Sequence, residues 1–253
     1  MITDRFIKQG STHALCEDYA FCFSDRVVVC DGCSSSENTD VGARLLALTP
    51  EDRLESVYHQ YRGILGDTFM DATRLEARKV VTEDNPDSYG IFVEIIGDGY
   101  FIHFSASGNT TTEIQFSSGA PLYLSYNFSE QRKLGYFETF KDSEVIETSW
   151  ASLEHKKFDA CIERKNITKY SGNKYVVLGG SVLLASDGLA SFANKQGGIL
   201  PVKKVIEDML KFKNYTPRFI QRRMNALCKE YAKEGYVNTD DVSVVVMSFM
   251  DEV

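Results

Sequence analysis

The chain has 253 residues, 43% of them hydrophobic and 12% aromatic, enough for a sizeable core in one large domain or two small ones. Its formal net charge of -8 argues against a general nucleic-acid-binding face, which needs an excess of Lys and Arg. There is no apolar signal segment at the start and no long uncharged apolar run, so no membrane span is expected, and the six scattered cysteines read as reduced thiols in the cytoplasm.

The first 36 residues carry two short strand-like runs, Tyr19–Phe23 and Arg26–Cys30, separated by Ser24-Asp25 in the manner of a hairpin. The β-branched run Val27–Cys30 delivers Asp31 and Gly32 into a serine-rich loop. Glu17 and Asp18 enter the first run and Asp31 leaves the second, so antiparallel pairing puts Asp18 and Asp31 on one rim. A strand ending in an Asp-Gly turn accounts for the same residues taken alone.

Thr39 or Asp40 predicts an N-cap for a helix over Val41–Ala47. Pro50 opens a second helical stretch with Leu54, Val57, Tyr58 and Tyr61 at helical spacing. Residues 71–81 and 89–116 read as strands, with Asn85-Pro86-Asp87-Ser88 as a turn between them. Leu122–Tyr126 reads as a strand, and 130–174 as an irregular flap or insertion. A helix follows Pro201, and Thr216-Pro217 caps another that carries Phe219, Ile220, Met224, Leu227 and Tyr231 on one face. A strand over 242–249 ends the pattern. There is no repeat and no Pro/Gly-rich linker, so one domain over 1–253 is expected. Strands and helices do not alternate strictly, which argues against a parallel βαβ fold.

The Asp-Gly pattern recurs. Ser181–Ala185 is an apolar run leading to Asp187-Gly188, Ile91–Ile96 leads to Gly97-Asp98-Gly99, and Asp240-Asp241 enters the β-branched run 242–247. If the last strand runs antiparallel to those ending at Asp31 and Asp187, all these acids reach one edge. Carboxylates without His or Cys partners suit a hard divalent cation. Competing motifs are weak. Cys30-Asp-Gly-Cys33 lacks the second pair a zinc site needs and ends a strand rather than starting a helix. No Walker-type or H-E-x-x-H motif occurs.

In this order, Glu17-Asp18, Asp31-Gly32, Gly97-Asp98-Gly99, Ala185-Ser-Asp187-Gly188-Leu189 and Asp240-Asp241-Val-Ser-Val-Val-Val resemble the motifs of metal-dependent protein phosphatases, the PPM or type 2C family, in a divergent bacterial-type branch. The resemblance spans nearly the whole chain. It implies an α+β fold of two packed antiparallel sheets with helices on both outer faces, an αββα sandwich. It implies hydrolysis of phosphoserine and phosphothreonine in a phosphorylated protein substrate by water activated between two Mn²⁺ or Mg²⁺ ions. Asp31 would bridge the metals, the Gly32 carbonyl would bind one, and Asp187 and Asp240 the other. Glu17 and Asp18 would contribute directly or through water, and Asp98 would serve a third, weaker metal, though it also reads as a hairpin turn. Two positions depart from the family: His13 stands where an arginine usually grips phosphate, and Cys33 where a histidine often follows Asp-Gly. His13 would bind phosphate or act as general acid, or else simply cap the rim. The alternatives are a non-catalytic module of this type that binds a phosphorylated partner, and a small-phosphoester hydrolase. Oligomeric state is left open.

Overall fold

Val27, Val28, Val29 and Cys30 are all completely buried. A strand turns successive side chains to opposite faces, so both faces of this strand must be covered. The computed structural model, which describes residues 1–82, 85–106, 108–153, 156–157 and 160–249, shows what covers them.

The elements run β1 (Ile2–Lys8), β2 (Tyr19–Cys22), β3 (Arg26–Gly32), α1 (Thr39–Leu48), α2 (Leu54–Leu65), β4 (Ala72–Thr82), β5 (Asn85–Ile96), β6 (Gly99–Ser105), β7 (Gly108–Phe116), α3 (Glu130–Phe140), β8 (Glu144–Leu153), β9 (Lys156–Lys157) and β10 (Cys161–Asn166). Then follow β11 (Asn173–Leu178), β12 (Ser181–Ala185), β13 (Phe192–Asn194), α4 (Val202–Met209), α5 (Phe219–Lys233), β14 (Tyr236–Asn238) and β15 (Val242–Ser248). Of the two large sheets, one has the order β1-β15-β12-β6-β7-β8-β10, with β9 beside β8, and the other is β11-β5-β4-β3-β2; β13 and β14 form a separate two-stranded sheet. Every pairing in both is antiparallel.

The sheets stack face to face. Val27 and Val29 of β3 and Leu75 and Ala77 of β4 meet Phe101, Val182, Leu184 and Val245 of the other sheet. The alternate residues Val28 and Cys30 pack under α1 and α2 with Leu46, Leu54 and Tyr58. On the far side, Val242, Val244 and Val246 pack with Val205, Ile206, Met224 and Leu227 of α4 and α5. The result is the helix–sheet–sheet–helix sandwich. Its central valines are buried on both faces, each contributing roughly 1.5–3 kcal/mol over exposure.

Three local expectations are corrected. Asn85-Pro86-Asp87-Ser88 is not a turn: β5 begins at Asn85, and the ladder with β4 absorbs the extra residues in a bulge between Val81 and Thr82; residues 83–84 lie outside the described residues. Leu122–Tyr126 is not a strand. Leu122 enters the inter-sheet core and Leu124 the core under α2, and a 3₁₀ turn, Leu124–Phe128, closes the segment. Residues 130–174, read as irregular, hold α3, β8, β10 and the start of β11, apart from 154–155 and 158–159, which lie outside the described residues.

Candidate metal centre

Both sheets place their loops so that the acids meet. The end of β3, the start of β2, the end of β12 and the starts of β6 and β15 all lie at one end of the sandwich, as the registers Tyr19↔Cys30, Tyr100↔Ala185 and Ala185↔Val244 require. The Gly97-Asp98-Gly99 segment is not a hairpin. It joins β5 in one sheet to β6 in the other, a corner that carries Asp98 between the layers.

The eight residues singled out in the sequence, His13, Glu17, Asp18, Asp31, Gly32, Asp98, Asp187 and Asp240, all lie at this end. Six of them, His13, Asp31, Gly32, Asp98, Asp187 and Asp240, line a cleft of about 250 Å³ with Cys33, Ser34, Ser35, Thr73 and Tyr123. Glu17 and Asp18 stand behind it. Asp31 is central, flanked by Asp18, Asp187 and Asp98. Asp18 is buried; its Oδ2 accepts a hydrogen bond from Ser186 Oγ at 2.8 Å, while among the described residues its Oδ1 has no hydrogen-bond partner. Thr39 Oγ1, expected as a helix cap, instead donates to Glu17 Oε1 at 3.0 Å; Asn38, in the left-handed conformation, precedes the helix.

The glycines of the Asp31-Gly32 and Asp187-Gly188 pairs are there for close approach. A Cβ on Gly32 would sit 2.9 Å from the Glu17 carbonyl oxygen, and one on Gly188 would sit 1.7 Å from that of Asp241. Each lets an acid-bearing loop lie against the neighbouring acid-bearing segment.

Electrostatics here run against ionisation. Burial pushes the Asp18 carboxyl up to about 7 and that of Asp98 up to about 8. Asp31 is raised well above the carboxylate range by burial and then by the charges of Asp18 and Asp187. Among the described residues no lysine or arginine pairs with any of these acids; His13 is their basic partner. Its Nε2 lies 3.3 Å from Asp240 Oδ1 and its Nδ1 3.3 Å from Asp241 Oδ2. Burial opposes charge on His13, but the hydrogen bond and charge of Asp241, with Asp240 and Glu17, outweigh it and raise its pKa. Cys33, buried enough to oppose ionisation, is nonetheless lowered by hydrogen bonds from Ser35 and Tyr123.

Asp241 was not among the expected site residues. It is 2% exposed, and it accepts the backbone N–H groups of Gly10 and Glu17, each at 2.6 Å. The ligand atoms of His13, Glu17 and Asp241 lie within 4.8 Å of one another. Because both Asp241 oxygens already hold backbone donors, this trio reads as a support for the loop rather than a cage for an ion. Its signal in the sequence was its adjacency to Asp240 at the mouth of a strand.

No family model matches the sequence, and no curated protein matches it. Solved structures do align over nearly its full length. The PPM Ser-Thr phosphatase MsPP from Mycobacterium smegmatis is 15% identical, with 98% of each chain covered and a TM-score of 0.46. The serine/threonine phosphatase PstP/Ppp of Mycobacterium tuberculosis is 12% identical, with 96% of each covered and a TM-score of 0.47. The phosphatase domain of SpoIIE from Bacillus subtilis is 10% identical, covering 99% of this chain and 95% of that one at a TM-score of 0.41.

Proposed function

We propose that this chain is a metal-dependent phosphatase that hydrolyses phosphoserine and phosphothreonine monoesters in proteins. One observation carries the reading: acids from separate segments of both sheets converge on one cleft with no lysine or arginine among the described residues to neutralise them. Such a cluster is costly to keep unless a cation sits in it. The donor set is all oxygen, which suits Mn²⁺ or Mg²⁺, and the orphaned, buried Asp18 Oδ1 is an atom that a cation would satisfy. Asp31, Asp187, Asp240 and the Gly32 carbonyl would hold two cations. Glu17 and Asp18 would assist directly or through water, and Asp98 would serve a third, weaker site. When bound, such cations make hydroxide available near neutral pH and neutralise charge on a phosphoryl group.

The chain's own residues supply the rest. Thr39 and Ser186 hold the Glu17 and Asp18 carboxylates in place behind the cleft. His13, its protonated form favoured by its acidic neighbours, donates to a phosphate oxygen or passes a proton to the leaving alcohol.

Hydrolysis of p-nitrophenyl phosphate and of a phosphothreonine peptide, each with Mn²⁺, Mg²⁺ or EDTA, tests this. The expected result is turnover only with metal, reduced by roughly 10²-fold or more in Asp31→Ala and Asp240→Ala. The peptide-to-nitrophenyl ratio separates a protein substrate from a small phosphoester. A folded protein that gains thermal stability from Mn²⁺ yet turns over neither substrate would overturn the reading. It would favour a module that docks a phosphorylated partner, a reading to which the engagement of His13 by Asp240 and Asp241 lends weight.

A further inference from the structure

The acid cleft continues into a second hollow. This one, about 380 Å³, shares Asp98, Gly119 and Asp187 with the first and runs along β6, β7 and β8, where Tyr100, Glu113, Phe116 and Ile146 line it. Glu113 is held in one pose on its wall: Tyr100 Oη donates to Glu113 Oε1 at 2.5 Å, and Gln115 Nε2 donates to the same oxygen at 3.1 Å. Both donors are neutral. Among the described residues no lysine or arginine pairs with this carboxylate, and no partner bonds its Oε2. An oriented anion supported only by neutral donors, at the edge of a cleft, is a ready acceptor for a charge-assisted hydrogen bond from outside.

The spacing suits a peptide. Glu113 is the ladder partner of Tyr100, which lies two residues, roughly 7 Å, beyond Asp98. An extended chain seated at the acids would bring the side chain one or two residues away over Glu113. Ile146, the ladder partner of Gln115 and so on the same face of the sheet as Glu113, offers apolar surface to the stem of a long cationic side chain.

We infer that the second hollow is the recognition groove for residues flanking the phosphorylated one, and that Glu113 selects a lysine or arginine there. The inference rests on the phosphatase reading. Its test uses two phosphothreonine peptides that differ only in carrying arginine or alanine on either side of the phosphothreonine. Wild type, Glu113→Gln and Glu113→Lys are compared. Wild type is expected to prefer the arginine peptide in kcat/KM by roughly fivefold. Glu113→Gln, which keeps an oxygen for Tyr100, brings the ratio near one, and Glu113→Lys inverts it. The ratio of peptides on one protein cancels any general loss of activity. A wild type without preference, or a preference that survives both substitutions, overturns the inference; the second outcome would trace the preference to the overall negative charge. If neither peptide nor p-nitrophenyl phosphate is turned over with any metal, the phosphatase reading has failed. Fluorescence anisotropy of the same labelled peptides with Mn²⁺ then judges the groove alone. Equal affinities overturn it, and an arginine preference abolished by Glu113→Lys sustains it.

Discussion

Asp240 and Asp241 are neighbours with different tasks, because successive side chains entering a strand point to opposite sides. Asp240 lines the cleft; Asp241 turns inward and ties residues 10–17 to β15 through Gly10 N, Glu17 N and His13. Removing the Asp241 carboxylate strands buried donors, so Asp241→Ala is expected to lose about 2–3 kcal/mol in urea denaturation. A loss below about 0.5 kcal/mol, the size of an ordinary surface substitution, would mean that the loop is held by other contacts. The same substitution frees His13 from one of its three acidic neighbours. The doublet was visible in the sequence, but the side of the strand each acid takes is set by the phase of β15 in its sheet. Gly32 and Gly188 were legible as turn formers; that each is also pressed against another acid-bearing segment depends on contacts far apart in the chain.

At the scale of elements, local pattern succeeded where burial is regular. Val27–Cys30 and 242–247 stood out because every residue in them is covered. It failed where strands are not covered. β10 is exposed at all six positions and, among the described residues, pairs only with β8 at the sheet edge, so it carries no alternation to read. The sequence places the cap of α5 at Thr216-Pro217, yet Asp4 Oδ2 accepts the backbone N–H of Ile220 at 2.8 Å and of Gln221 at 3.3 Å. A carboxylate from β1 thus satisfies the free donors at the start of the helix and meets its positive end. Asp4→Ala is expected to lower stability by about 1 kcal/mol, a shift of a few degrees in Tm, while leaving the Mn²⁺-induced rise in Tm intact. Loss of that rise as well would mean that the β1–α5 contact also sets the acid cleft.

For the molecule as a whole, the acids make metal-free stability depend on pH with an unusual sign. In the folded chain Asp18 and Asp98 titrate near 7 and 8 and Asp31 above its ordinary range, against about 4 in the unfolded chain. Between those limits the folded state keeps protons that the unfolded chain has released, so stability falls as pH rises through the window. Thermal unfolding in EDTA is expected to show Tm declining from about pH 5 to pH 8, and Mn²⁺ at the upper end to reverse the decline by taking the place of the protons. A metal-free Tm that rises over that range would show the acids satisfied without a cation. The buried strands, the two pairs of helices and the acids at strand ends are legible in the residues alone, because burial on both faces and Asp-Gly turns leave local marks. That β5 and β6 belong to different sheets, that Asp241 is a support, and that a second cleft with Glu113 on its wall adjoins the acids emerges from the folded chain. Those facts depend on which strands pair and on how the two sheets stack, and no short stretch of residues encodes either.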